Sequence, residues 1–142
     1  MKNNKRSLKT LLRSVGVFHH YRGYDYFLMA ISIASENPEK LSNIRKDIYL
    51  PISIQYKTDI QNVERDIRTI RNVVMRNNGA ILLQEMTGGT FWEKNAPYPR
   101  ELIEIFAEYL RSQGSLFHRK SQEILVIFGR IERFSIYVLW RV

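Results

Sequence analysis

Between Gln61 and Asn72 the sequence sets polar side chains at helical spacing: Gln61, Glu64, Arg65, Arg68, Thr69 and Asn72. These residue types hydrogen-bond nucleic-acid bases and phosphates. Arginine suits the O6/N7 edge of guanine, Asn and Gln suit N6/N7 of adenine, and Glu accepts from N4 of cytosine. At about 100° per residue Gln61, Arg65, Arg68, Thr69 and Asn72 fall opposite Ile60, Val63, Ile67, Ile70 and Val74, which cluster within about 80°. Glu64 and Arg71 flank one side of that outer face and Asn62 the other. A solvated surface helix shows a similar face, because Glu64–Arg68 and Asn72–Arg76 are i,i+4 neighbours.

Such a face reads DNA only when a second helix holds it against a core. The spacing predicts that partner. Ile44, Ile48, Ile52 and Tyr56 lie four apart over Leu41–Tyr56, and Pro51 inside this run is expected to bend or divide the helix. The recognition-helix candidate follows, from about Asp59 to Arg76. Thr58 and Gln61 have capping-box spacing, and Asn77-Asn78-Gly79 ends the helix. Ile52, Ser53 at the small-residue position, Tyr56, Ile60 and Val63 complete a generic helix-turn-helix pattern. Lys57 takes the turn position that normally wants Gly or Asn for positive φ.

Around this pair the chain predicts further helices. Ser7–Val15 stops at Gly16, and Arg22–Ser35 stops before Asn37-Pro38. Ala80–Met86 reads as a short helix closed by Thr87-Gly88-Gly89-Thr90, and a loop with Phe91, Trp92, Pro97 and Pro99 follows. The last helix of the compact unit starts at Pro99 and is expected to end at Gln113-Gly114-Ser115. Beyond it, Ile124–Phe128 and Ile131–Trp140 fit either a hairpin turning at Gly129-Arg130 or an amphipathic helix. The reading is an all-α domain at 8–114, with a basic lead at 1–7 and an apolar and basic tail at 115–142.

Composition narrows the chemistry. The 142 residues carry a formal charge of +8 and include no cysteine, which excludes disulfides and thiolate chemistry. Lys2, Lys5, Arg6, Lys9, Arg13 and Arg22 precede the first acid, so the basic excess points to a polyanion. The recognition-helix candidate itself is nearly balanced, and the excess lies mostly at the two ends. Lys57, Arg22 and the basic start are phosphate-contact candidates. His19-His20 with Asp25 reads as a structural junction rather than a metal site. Tyr21, Tyr24, Tyr26 and Phe27 read as core rather than as base-stacking residues. Glu101, Glu104 and Glu108 share one helix face, which reads as solvated. No Gly-rich phosphate loop, nucleophile triad or metal-ligand spacing is present, so no enzyme and no cofactor are expected. The basic start lacks a following apolar stretch, and no apolar run approaches the ~20 residues of a membrane span. A cytoplasmic location follows from this reading.

Leu8–Arg111 resembles the C-terminal effector domain of the stage-zero sporulation response regulator of Firmicutes. The residues that carry the resemblance are Gly16-Val17, His20-Tyr21-Arg22-Gly23-Tyr24-Asp25-Tyr26, Ala30-Ile31, Lys46, Ile48-Tyr49, Ile52, Tyr56 and Thr58. The densest stretch is Val63-Glu64-Arg65-Asp66-Ile67-Arg68, close to the family's Val-Glu-Arg-x-Ile-Arg, and the spacing from Lys46 to Arg68 is free of gaps. The resemblance implies an all-α domain of about six helices with an embedded helix-turn-helix. It implies a sequence-specific transcription regulator that binds a short duplex DNA box, often as tandem copies, and contacts RNA polymerase sigma factors. It carries base contact over to Glu64 and Arg65, with Arg68 also facing DNA. Two stretches depart from the family: Asn62 stands where it has arginine, and Ala80–Trp92 diverges. The family places a phosphorylated receiver domain before this unit, and only about seven residues precede the first predicted helix here. The expectation is an effector without a receiver. The alternative is a protein-interaction module whose tail dimerises or antagonises a full-length regulator. A weaker third reading lays the tail on anionic membrane.

Overall fold

The structure, a computed structural model, describes residues 7–89 and 95–128, with side chains as far as residue 113. Within them the regular structure is entirely helical. Six α-helices are α1 (Leu8–Ser14), α2 (Tyr24–Glu36), α3 (Leu50–Gln55), α4 (Ile60–Arg76), α5 (Gly79–Thr87) and α6 (Pro99–Phe128). A 3-10 segment at Pro38–Asn43 and a π turn at Arg45–Tyr49 join α2 to α3.

Local chemistry sets the ends of these elements. Ser7 caps α1 by accepting from the Thr10 backbone N–H at 3.2 Å. At the other end Gly16 takes φ +80°, the Gly16 N–H donates to the Arg13 carbonyl, and the Val17 N–H donates to Leu12. This is a Schellman stop, and it needs the left-handed conformation that glycine tolerates. Asn77 and Asn78 close α4, with Asn78 left-handed at φ +62°. The expected capping box at Thr58 and Gln61 does not form: Asp59 is the N-cap, without a side-chain capping bond. The Thr58 hydroxyl instead accepts from Asn62 Nδ2 at 3.0 Å.

Pro51 divides the predicted Leu41–Tyr56 helix. Proline has no N–H to give, and its ring crowds the carbonyl one turn back. The chain responds by widening the preceding turn, so that the Leu50 N–H donates to the Arg45 carbonyl five residues earlier. Pro51 then sits in the first turn of α3, where its missing donor is harmless.

The core gathers one stripe from each helix. Phe27 and Ile31 of α2, Ile48 of the π turn, Ile52 of α3, Val63, Ile67, Ile70 and Val74 of α4, Leu83 of α5, and Leu102 and Phe106 of α6 are fully buried. Burying side chains of this size contributes roughly 1.5–3 kcal/mol each. α6 lies along α2, where the Phe27 and Phe106 rings meet edge to face at 5.7 Å and Arg111 Nη1 donates to the Ala34 carbonyl. Tyr24, Tyr26 and Phe27 are core, and Tyr21 packs against it half-buried. α6 corrects the expected stop at Gln113-Gly114-Ser115, because it continues through Gly114 to Phe128. An interior glycine costs a helix about 1 kcal/mol and does not have to end it. Ile124–Phe128 is therefore helical, which removes the first strand of the predicted hairpin. Gly129-Arg130, Ile131–Trp140, Phe91 and Trp92 lie outside the described residues.

Candidate nucleic-acid interface

α3, the turn at Tyr56–Asp59 and α4 form a helix-turn-helix. The Thr58 N–H donates to the Ser53 carbonyl at 2.9 Å and the Tyr56 N–H to Ile52 at 3.0 Å, which closes the end of α3. Lys57 takes φ +52°. The turn thus has the left-handed residue that the motif requires, supplied by lysine at the conformational cost a Cβ imposes there. Tyr56 braces the turn on α2 through an edge-to-face contact with Tyr26, ring centroids 5.1 Å apart.

α4 then presents its polar side outward. Gln61, Arg65, Arg68 and Asn72 are exposed, and Glu64 is half-buried. Lys57 is exposed at the N-terminal end of the same helix. The half-buried Asn62 is engaged within the turn through Thr58. Arg22 is also exposed, and its neighbour Gly23 packs on the Asp66 backbone and the Ile70 side chain of α4. Gln61, Arg65, Arg68 and Asn72 are thus exposed along one helix, with Lys57 exposed in the turn before it, whereas Asn62 and Glu64 are half-buried and Arg22 belongs to the segment before α2.

The structure adds three residues that pattern alone did not select. Arg45, on the π turn, places Nε 2.5 Å from Glu64 Oε1, so the partner of Glu64 is on another element rather than at Arg68. Tyr49 is buried beside them. Burial pushes its hydroxyl pKa up to about 12, the Glu64 carboxylate adds to the rise, and Arg68 opposes it. Asp66 is buried, with Oδ1 3.5 Å from Arg65 Nε and Oδ2 without a hydrogen-bond partner among the described residues. Periodicity pointed to none of these roles: the Arg45 pair and the burial of Tyr49 and Asp66 depend on packing between elements. A shallow groove at the turn is lined by Arg45, Leu50, Ser53, Thr58, Asp59, Ile60 and Gln61.

Among the described residues there is no group of three His, Cys, Asp or Glu able to hold a metal ion. His20 stacks on Tyr21 and Phe18, and His19 meets the edge of Tyr24. No helix among them is long and apolar enough to cross a membrane.

An all-helical fold with an embedded helix-turn-helix and a hydrogen-bonding outer face defines a DNA-binding domain. Residues 8–110 match the family described as sporulation initiation factor Spo0A C terminal. The chain belongs to this family, one of DNA-binding transcription regulators and not of enzymes. The match begins at the same residue as the resemblance read from Leu8 to Arg111 and ends one residue before it.

Proposed function

We propose that this domain reads a short double-stranded DNA sequence by inserting α4 into a major groove and acts there as a transcription regulator. The observation that carries the reading is the outer face of α4. Gln61, Arg65, Arg68 and Asn72 stand exposed on one side of a helix whose opposite side is fully buried at Val63, Ile67 and Ile70. Glu64 and Arg65 are the base-reading residues of this proposal. Arg68, Asn72, Lys57 and Arg22 set the register on phosphates. Binding as a homodimer on tandem sites, contact with a sigma factor and a cytoplasmic site of action belong to the same reading.

The test is selection from random duplex DNA, run in parallel with the chain and with Asn62→Arg. An enriched box that shifts at one position in the variant supports the proposal. Absence of any enriched motif at low salt removes it.

A second reading is favoured by one observation: α6 continues to Phe128, beyond residue 110 where the family match ends. It makes the stretch after Gly114 a module for dimerisation, or for antagonising a full-length regulator. Deleting that stretch tests it; unchanged oligomeric state and DNA affinity would exclude the tail as the interface.

A further inference from the structure

Glu64 faces a difficulty as a base reader. A glutamate side chain has three rotatable bonds, and pointing it at a cytosine amino group loses rotamer freedom unless something already holds it. The structure supplies that hold. Arg45 Nε contacts Glu64 Oε1 at 2.5 Å, and the two side chains are 61% and 26% exposed. Ion pairs this exposed add little to stability, so stabilising the fold is a weak account of the contact. Its geometry has a better use. Arg45 is carried to α4 by the π turn that Pro51 imposes, and it shares the groove at the turn with Gln61. A guanidinium has five N–H donors, and the contact with Glu64 engages the one on Nε. The Nη groups are left for an acceptor of the kind a phosphate oxygen offers. Tyr49, buried and close enough to Glu64 to feel its charge, is a neutral phenol at physiological pH and places no second negative charge beside that carboxylate. Asn62, which stands where the resembled family has arginine, is committed to Thr58, and Arg45 brings a guanidinium to the same end of α4.

We propose that Arg45 is a positioning and specificity-determining residue of the DNA interface: its Nε holds the Glu64 carboxylate toward a base edge, and its Nη groups donate to a backbone phosphate of the same site. The proposal rests on the reading that α4 enters a major groove.

The experiment uses the full chain with Arg45→Ala, Arg45→Lys, Glu64→Gln, the Arg45→Ala/Glu64→Gln double variant and Arg65→Ala. Each is put through selection from random duplex DNA, and affinity for the selected box is measured at several salt concentrations. Arg45→Ala should weaken binding about tenfold and lower the salt slope by about 0.9, the value of one phosphate contact. It should also flatten base preference at the one position that Glu64→Gln flattens, with the double variant no flatter than Glu64→Gln. Arg45→Lys should recover most of the salt slope and little of the base preference, because an ammonium lacks the planar fork. Retention of helical circular dichroism by the Arg45 variants ties any loss to the interface.

The outcomes separate the two claims. If Arg45→Ala keeps both base preference and slope while Arg65→Ala flattens a position, DNA reading stands and the role of Arg45 falls. If base preference flattens with the slope unchanged, the phosphate half falls. If Arg65→Ala also changes nothing, or no box is enriched, the underlying reading fails and takes the role of Arg45 with it.

Discussion

A Cβ built on Gly23 would stand 2.4 Å from the carbonyl oxygen of Asp66. The start of α2 therefore rests on the bare backbone of α4, and the obstacle is a helix carbonyl that cannot swing aside. Gly23 has φ −78°, a conformation open to any residue, so it is space rather than backbone freedom that requires glycine. Gly23→Ala should lower unfolding free energy by about 2–3 kcal/mol, the upper part of the overpacking range. Urea denaturation measures this, and a change below about 0.5 kcal/mol would mean that α2 and α4 can move apart without loss.

Lys57 carries the opposite strain. Its φ of +52° is left-handed, and a side chain there costs roughly 1–2 kcal/mol relative to glycine. Lys57→Gly should raise stability by about 1 kcal/mol, after allowing for the extra freedom glycine gives the unfolded chain. Lys57→Ala should give no such gain, since alanine keeps the Cβ. Thermal melts of the three proteins decide it. As a phosphate-contact candidate, Lys57 should also leave both variants with a shallower salt slope in DNA binding.

The stripe Ile60, Val63, Ile67, Ile70, Val74 predicted α4 because a period of 3.6 over seventeen residues has no competing reading. Gly16 and Asn77-Asn78 marked their stops through local backbone chemistry, which does not depend on the rest of the fold. The π turn was only half legible. Ile44, Ile48, Ile52 and Tyr56 repeat every four residues, slower than an α-helix, and Pro51 announced a break without saying how the chain would absorb it. Gly114 misled because a glycine near a plausible helix end has the same local signature whether the helix stops or runs on. Along the site, exposure of the α4 outer face followed from periodicity, whereas the Arg45–Glu64 pair spans two elements and emerges only when they pack.

Tyr49 offers a test by pH. Its folded pKa is raised to about 12 from an ordinary 10.0, so the unfolded chain releases this proton first. Stability from this group is fully present below pH 10 and is lost as pH rises toward 12. Tyr49→Phe should remove a large part of that alkaline loss, on the order of 2 kcal/mol at its limit. Tyr24, whose pKa burial also raises, leaves part of the loss in place. Unfolding free energies of both proteins between pH 8 and pH 11 supply the comparison, and parallel curves would show that Tyr49 ionises freely in the folded state.

Asp66 and Arg65 are adjacent on α4 and make opposed contributions. Asp66 is 8% exposed, its Oδ2 lacks a hydrogen-bond partner among the described residues, and Arg65 Nε stands 3.5 Å from its Oδ1 on an exposed side chain. A buried carboxylate served this poorly is a net burden on the fold, and aspartate is also a weaker helix former than alanine. Asp66→Ala should therefore raise unfolding free energy by about 1 kcal/mol. Arg65→Ala should leave stability within about 0.5 kcal/mol, since its side chain is largely solvated. In DNA binding the order reverses: Arg65→Ala should cost about 1–3 kcal/mol and relax base preference at a single position. Asp66→Ala frees Arg65 from its neighbour, so affinity for the selected box should stay level or rise. A loss of affinity in Asp66→Ala comparable to that in Arg65→Ala would instead show that the carboxylate aims the guanidinium at its base. Denaturation and binding isotherms on the same two variants distinguish these outcomes, because the first roles change stability and affinity in opposite residues and the aiming role changes affinity in both.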